Sequence, residues 1–140
     1  MIIYISGSWK HRFGIEMLTD KLRSMGHEVL SFIENTVDMG ILENLPFEQF
    51  IETQEADGLF AYDTQAAATA DIVVYYGPSG LDAWAEIGIA WQSGRVVLGL
   101  LAKGEQIGLL RKMVHWHKDI NSLLETITSH SKNSVLEKHR

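Results

Sequence analysis

Apolar positions along the chain fall into two rhythms. Short runs rich in β-branched and aromatic residues recur at residues 2–6, 28–33, 71–76 and 95–101, with a briefer one at 114–117. Runs of that length, bounded by glycine, proline or polar residues, predict buried strands. Between them the apolar spacing changes to three and four. Ile15, Leu18, Leu22 and Met25 mark one helix, and Gly26 follows where a left-handed residue would end it. Alanine-rich residues 57–69 predict a second helix. Residues 82–93 predict a third, closed by Gly94, with further helices at 105–113 and 120–127. Residues 130–140 are polar and read as a flexible, fraying tail. Strand, helix and strand with tight joins make a right-handed βαβ unit, hence a parallel sheet. The alternation predicts one α/β domain over residues 1–129, a three-layer sandwich. Its five parallel strands take the flavodoxin- or Rossmann-like order 2-1-3-4-5.

Residues 34–56 break the rhythm. Met39, Leu42, Leu45, Phe47 and Phe50 are apolar, but Asn44-Leu45-Pro46 interrupts them. The stretch is long for an α/β connection. It reads either as a mobile lid with Pro46 in the first turn of a short helix, or as a helix pair capping the sheet edge.

Composition narrows the classes. At 140 residues, 46% of them hydrophobic, one domain with a sizeable core is expected. The formal net charge of -6 argues against non-specific binding to nucleic acid or an anionic membrane, while leaving a small nucleotide as a ligand. With no cysteine, disulfides, thiol nucleophiles and cysteine-based zinc sites drop out. Met1–Ile5 lacks the basic start of a signal peptide, and no apolar run approaches the roughly 20 residues of a membrane span. A cytoplasmic location is the expectation.

Strand order 2-1-3-4-5 makes the carboxyl ends of the first and third strands neighbours, where ligands bind in such sheets. After the first strand come Ser6, Gly7, Ser8, Trp9, Lys10 and Arg12. Hydroxyls, cations and backbone N–H groups at a helix start can form an anion site, or can simply be solvated. Neither GxGxxG nor GxxxxGK[ST] occurs. After the third strand, Pro78-Ser79-Gly80 leads into a helix that carries Glu86 among Trp84, Ala85, Ile87 and Gly88. A carboxylate in that setting must be hydrogen-bonded or face a ligand. Asp82 lies one turn before it on the same helical face. Ser79 and Asp82 also fit a capping box, which would explain both without function. Asp63 is either a surface residue of the preceding helix or part of the site. His115-Trp116-His117 lacks a third ligand for a metal, and no metal or cofactor is expected. Trp9, Trp84 and Trp91 read as core or pocket wall. No GxSxG elbow marks a serine hydrolase.

Three segments together carry a family resemblance: Ile3-Tyr4-Ile5-Ser6-Gly7-Ser8-Trp9-Lys10; Asp63 followed by Ala70-Asp71-Ile72-Val73-Val74; and Ala83-Trp84-Ala85-Glu86-Ile87-Gly88-Ile89-Ala90, with Gly94-Arg95-Val96-Val97 beyond. They resemble the nucleoside 2-deoxyribosyltransferases and the related nucleoside 5′-monophosphate N-glycosidases. The resemblance implies that Glu86 is the nucleophile at C1′ of a (deoxy)ribose, with transfer of the sugar to water or to another base. It implies that Asp63 assists departure of the base and that Tyr4 orients the catalytic carboxylate. Ser6, Gly7, Ser8, Trp9, Lys10, Arg12, Ser79, Gly80 and Asp82 are the expected substrate-binding residues. Gly80 stands where the transferases of the family carry an aspartate, and the loop of Ser6 to Arg12 is more similar to the phosphate-binding loop of the hydrolases. A 5′-monophosphate is thereby favoured over a free nucleoside. The family also implies a homodimer or larger homo-oligomer. The alternative is a non-catalytic nucleotide sensor that uses the same cleft.

Overall fold

The computed structural model describes residues 1–35, 44–106 and 108–138. Strand β1 (Ile2–Gly7) leads through a 3-10 turn (Trp9–His11) into helix α1 (Arg12–Ser24), followed by β2 (Glu28–Ser31). Among the described residues the short α2 (Phe47–Phe50) and α3 (Gln54–Thr69) follow, then β3 (Ile72–Tyr76) and α4 (Leu81–Gln92). The chain closes with β4 (Val96–Leu100), a 3-10 turn (Leu109–Met113), β5 (His115–His117) and α5 (Ile120–Lys138). The five strands pair in the order β2-β1-β3-β4-β5, every pair parallel, as the alternation predicts.

Side chains alternate across a strand, so each strand feeds both layers of helix. Ile3, Ile5, Ile72, Val74 and Leu98 pack on Ile15, Leu18 and Leu22 of α1 and on Leu123 and Ile127 of α5. Tyr4, Val73, Tyr75 and Val97 pack on the opposite layer, against Ala66 and Ala70 at the end of α3 and Ala83, Ile87 and Ala90 of α4. Alanine at those helix positions lets α3 and α4 lie close to the sheet. Gly26 and Gly94 end α1 and α4 with φ of 92° and 75°, the left-handed geometry expected of them.

Three boundaries differ from the sequence expectation. The helix expected at 105–113 is only the 3-10 turn at its end, because Gly104 (φ 88°) and Gly108 punctuate the segment and Leu109 and Leu110 find no core to face. The last helix does not stop at 127 but runs to Lys138, through residues expected to fray. No glycine or proline interrupts it, and the Thr128 and Ser129 hydroxyls donate to carbonyls one turn back. Helix α3 starts at Gln54 rather than 57, where Thr53 caps it by accepting the Ala56 N–H at 3.1 Å. Pro46 precedes α2 as its N-cap, and residues 36–43 of the expected lid lie outside the described residues. Among the described residues no helix is long and apolar enough to cross a membrane.

The Thr53 cap has a measurable worth. Thr53→Ala should lower stability by about 1 kcal/mol, read as a shift in urea midpoint with an unchanged slope.

Candidate active site

Even-numbered residues of β1 face the α3/α4 layer, and so Tyr4 and Ser6, both fully buried, point beneath the helix that carries Glu86. The Ser6 hydroxyl donates to the Ala83 carbonyl at 3.3 Å and ties β1 to the first turn of α4. Glu86, one turn on, is 8% exposed. Its Oε2 is buried with no hydrogen-bond partner among the described residues. Asp63 approaches from α3, its Oδ1 accepting from the Tyr4 hydroxyl at 3.4 Å.

Above these groups opens a cavity of about 500 Å³, lined by Gly7, Ser8 and Trp9 of the first loop, Phe32, Leu59 and Asp63, and Gly80, Leu81, Asp82, Ala83 and Glu86. A larger groove of about 760 Å³ runs between α1 and α5, where Lys21, Glu125 and Lys132 line it. Those side chains are exposed on the layer opposite Glu86, so the groove holds no buried ionisable group.

Burial dominates the electrostatics of the cavity. It pushes the Glu86 carboxyl up to about 8; the Tyr4 hydroxyl beside it pulls the other way, and the charges of Asp63 and Asp82 add to the rise. Burial likewise raises Asp63 to about 6, opposed by its bond from Tyr4 and reinforced by Asp82. Tyr4 itself is raised by burial and by both carboxylates, and it stays a proton donor. Three carboxyl groups thus share one cavity. Near neutral pH at least one of them retains a proton.

The remaining expected site residues divide. Ser79 does not cap α4: Gly80 is the N-cap and provides no side-chain bond. Instead the Ser79 hydroxyl donates to the Tyr76 carbonyl at 2.7 Å and accepts the Ser8 N–H at 2.9 Å. It joins the two loops, and Asp82 is left free of a capping box to face the cavity. The Ser8 hydroxyl in turn accepts the Lys10 N–H at 3.3 Å. With the His11 N–H donating to the Ser8 carbonyl at 2.9 Å and the Arg12 N–H to that of Trp9, four backbone donors of the loop are already engaged. Lys10 is exposed, and Arg12 stacks over Phe13 at 4.7 Å; neither lines the cavity. Trp9 does line it, Trp84 packs on Tyr75 and Trp116, and Trp91 is exposed. His117 bonds Ser122, beside the His115 ring.

Phe32, Leu59, Leu81 and Ala83 are cavity residues that the sequence reading passed over. Phe32 follows the carboxyl end of β2, the edge strand beside β1, and ligands in such sheets bind beyond the strands' carboxyl ends. Leu59 lies one turn before Asp63 on the same face of α3. Both signals were present in the chain.

No family model matches the chain, and no curated protein matches it either. Solved structures do. A 2-deoxyribosyltransferase from the psychrotolerant bacterium Bacillus psychrosaccharolyticus superposes with a TM-score of 0.68 at 23% identity, covering 88% of this chain and 90% of that one. A CMP N-glycosidase from Clostridium botulinum superposes at 0.59 and 18% identity, covering 91% of this chain and 99% of its own. The chain shares its fold with both. These are the two activities named by the resemblance in the sequence, and the likeness runs over nearly the whole length of each chain.

The buried Glu86 should leave a signature in stability. Unfolded, its carboxyl ionises near 4.5; folded, it holds its proton to about 8. The native state therefore binds more protons in that window, and stability falls as pH rises through it. Denaturant midpoints measured across the window should fall for the wild type relative to Glu86→Gln, which has no proton to lose.

Proposed function

We propose that this protein cleaves the N-glycosidic bond of a nucleoside or nucleotide, with Glu86 as the nucleophile. The observation that carries the reading is the buried Glu86 carboxyl. It has one oxygen without a partner among the described residues, sits at the floor of a cavity of about 500 Å³, and has a second carboxyl, Asp63, beside it. Desolvating a carboxylate is costly unless something cationic forms next to it. The transition state at C1′ of a ribose is oxocarbenium-like and supplies that charge. A cavity of this size suits a nucleoside.

The steps balance with these groups alone. An ionised Glu86 oxygen bonds to C1′ while the bond from C1′ to the base nitrogen breaks, and protonated Asp63 gives its proton to the departing base. Water or a second base then attacks C1′. It surrenders a proton to the Asp63 carboxylate and releases Glu86. Tyr4, held between the carboxyls, keeps Asp63 and Glu86 in register, and Asp82 adds a further acceptor at the rim.

Among the described residues the ionisable groups of the cavity wall are all acidic, with Lys10 and Arg12 outside it. That balance favours a neutral nucleoside over the 5′-monophosphate suggested by the loop sequence. A non-catalytic sensor is the second reading, supported by Gly80 at the position of the transferases' aspartate.

Chromatography of a nucleoside and nucleotide panel decides between them. Free base should accumulate, faster from nucleosides than from their monophosphates, and Glu86→Gln should slow release by about 1,000-fold or more. Tight binding without base release from any substrate would establish the sensor.

Coupled carboxyls also predict the pH profile. With Glu86 ionised and Asp63 protonated in the reacting state, kcat/KM should be bell-shaped, with limbs near 6 and 8. Asp63→Asn removes the donor and a repelling charge. A single rising limb should remain, with its midpoint below that of the wild type's upper limb.

A further inference from the structure

Behind α4, away from the cavity, a second polar cluster stands among aromatic rings and takes no part in the chemistry above. The Tyr75 hydroxyl donates to the Glu105 carboxylate, 2.8 and 2.7 Å from its two oxygens, and accepts the Ser79 N–H at 2.8 Å. The Trp84 indole N–H donates to the same carboxylate at 3.3 Å. Burial and the bond to Glu105 raise the Tyr75 hydroxyl to about 12, so it keeps its proton and must donate. The Tyr75 ring lies 4.8 Å from that of Trp84 and 5.7 Å from that of Trp116. Backbone approaches just as closely, because a Cβ on Gly77 would collide with the Glu105 carboxylate and the Tyr75 ring.

Two chains of contact leave this carboxylate, and both end at the cavity. One passes from Tyr75 to Ser79 and, through the Ser79 hydroxyl, to the Ser8 N–H in the cavity wall. The other holds Trp84, two residues before Glu86 and hence on the opposite side of α4. The indole fixes the rotation of the helix that aims Glu86 inward.

We propose that Glu105 is a positioning residue. From the loop between β4 and β5, it fixes the Ser8 loop through Tyr75 and Ser79, and fixes the aim of Glu86 through Trp84. The proposal deepens the glycosidase reading but has a readout that does not depend on it. Amide hydrogen exchange on the intact protein follows the relay directly, since Ser8 touches neither Tyr75 nor Glu105.

In Tyr75→Phe and Glu105→Ala, exchange at Ser8 and Ser79 should speed up by about tenfold, the worth of one hydrogen bond. Leu18 and Leu22, on the far layer, should keep wild-type rates. Glu105→Gln retains an acceptor for Tyr75 and should keep most of the protection, which also covers the case in which Glu105→Ala fails to fold. On a substrate found in the panel, kcat should fall about 10- to 100-fold in Glu105→Ala with Glu105→Gln restoring most of it, the scale of a misaimed catalytic group. Unchanged Ser8 exchange in Tyr75→Phe would overturn the proposal, as would loosening spread equally to Leu18 and Leu22. If the wild type releases no base, the proposed function falls while the exchange data still judge the relay.

Discussion

One constraint runs through the molecule: a carboxyl group, Glu86, is held against the sheet with almost no access to water. A buried carboxylate lacking a partner is costly, and folding tolerates it here by keeping it protonated to unusually high pH. The surroundings follow from that. Tyr4 and Ser6 occupy the strand positions beneath it, and alanines on α3 and α4 let the helices come close enough to exclude solvent. Asp63 faces the same space and, by its charge, opposes ionisation further. Every contribution that weakens the resting state makes the site more responsive to a positive centre arriving in the cavity.

The parallel sheet makes this arrangement possible without strain. With β1 and β3 adjacent at the centre, their carboxyl ends release two loops side by side, and Ser79 ties them with one hydroxyl. A capping box would have spent Ser79 and Asp82 on the helix end. The helix starts at a glycine instead, and both side chains serve the cavity region. Stability is given up at the cap, and loop order is gained. The 2-deoxyribosyltransferase and the CMP N-glycosidase share this fold at low identity. The frame is thus common to proteins named for different nucleoside chemistries, and the fold alone does not set the reaction.

Behind the helix, the Tyr75, Trp84 and Glu105 cluster is a half-buried counterpart to the cavity. It holds one carboxylate, where the cavity holds three carboxyl groups. This one accepts from Tyr75 and Trp84, whereas Glu86 Oε2 has no partner among the described residues.

Much of the protein was already legible in its sequence. Short apolar runs between helices of period 3.6 marked five strands, and the tight βαβ joins set their parallel pairing and the switch point, because strands covered on both faces leave few other solutions. A lone Glu in an apolar helix marked the cavity carboxyl, while Tyr4 entered only through the family resemblance. Only the tertiary structure decided how polar groups are shared. Ser79 at a helix start fits a cap equally well from sequence, and its partner at Ser8 is distant along the chain and adjacent only across the sheet. Lys10 and Arg12 follow the right strand, yet their direction depends on a 3-10 turn and on stacking with Phe13. Glu105 lay in a segment whose spacing suggested a helix, and its partners come from β3 and α4. Periodicity reports which face of an element is buried. Hydrogen bonds between elements depend on distances that only packing sets.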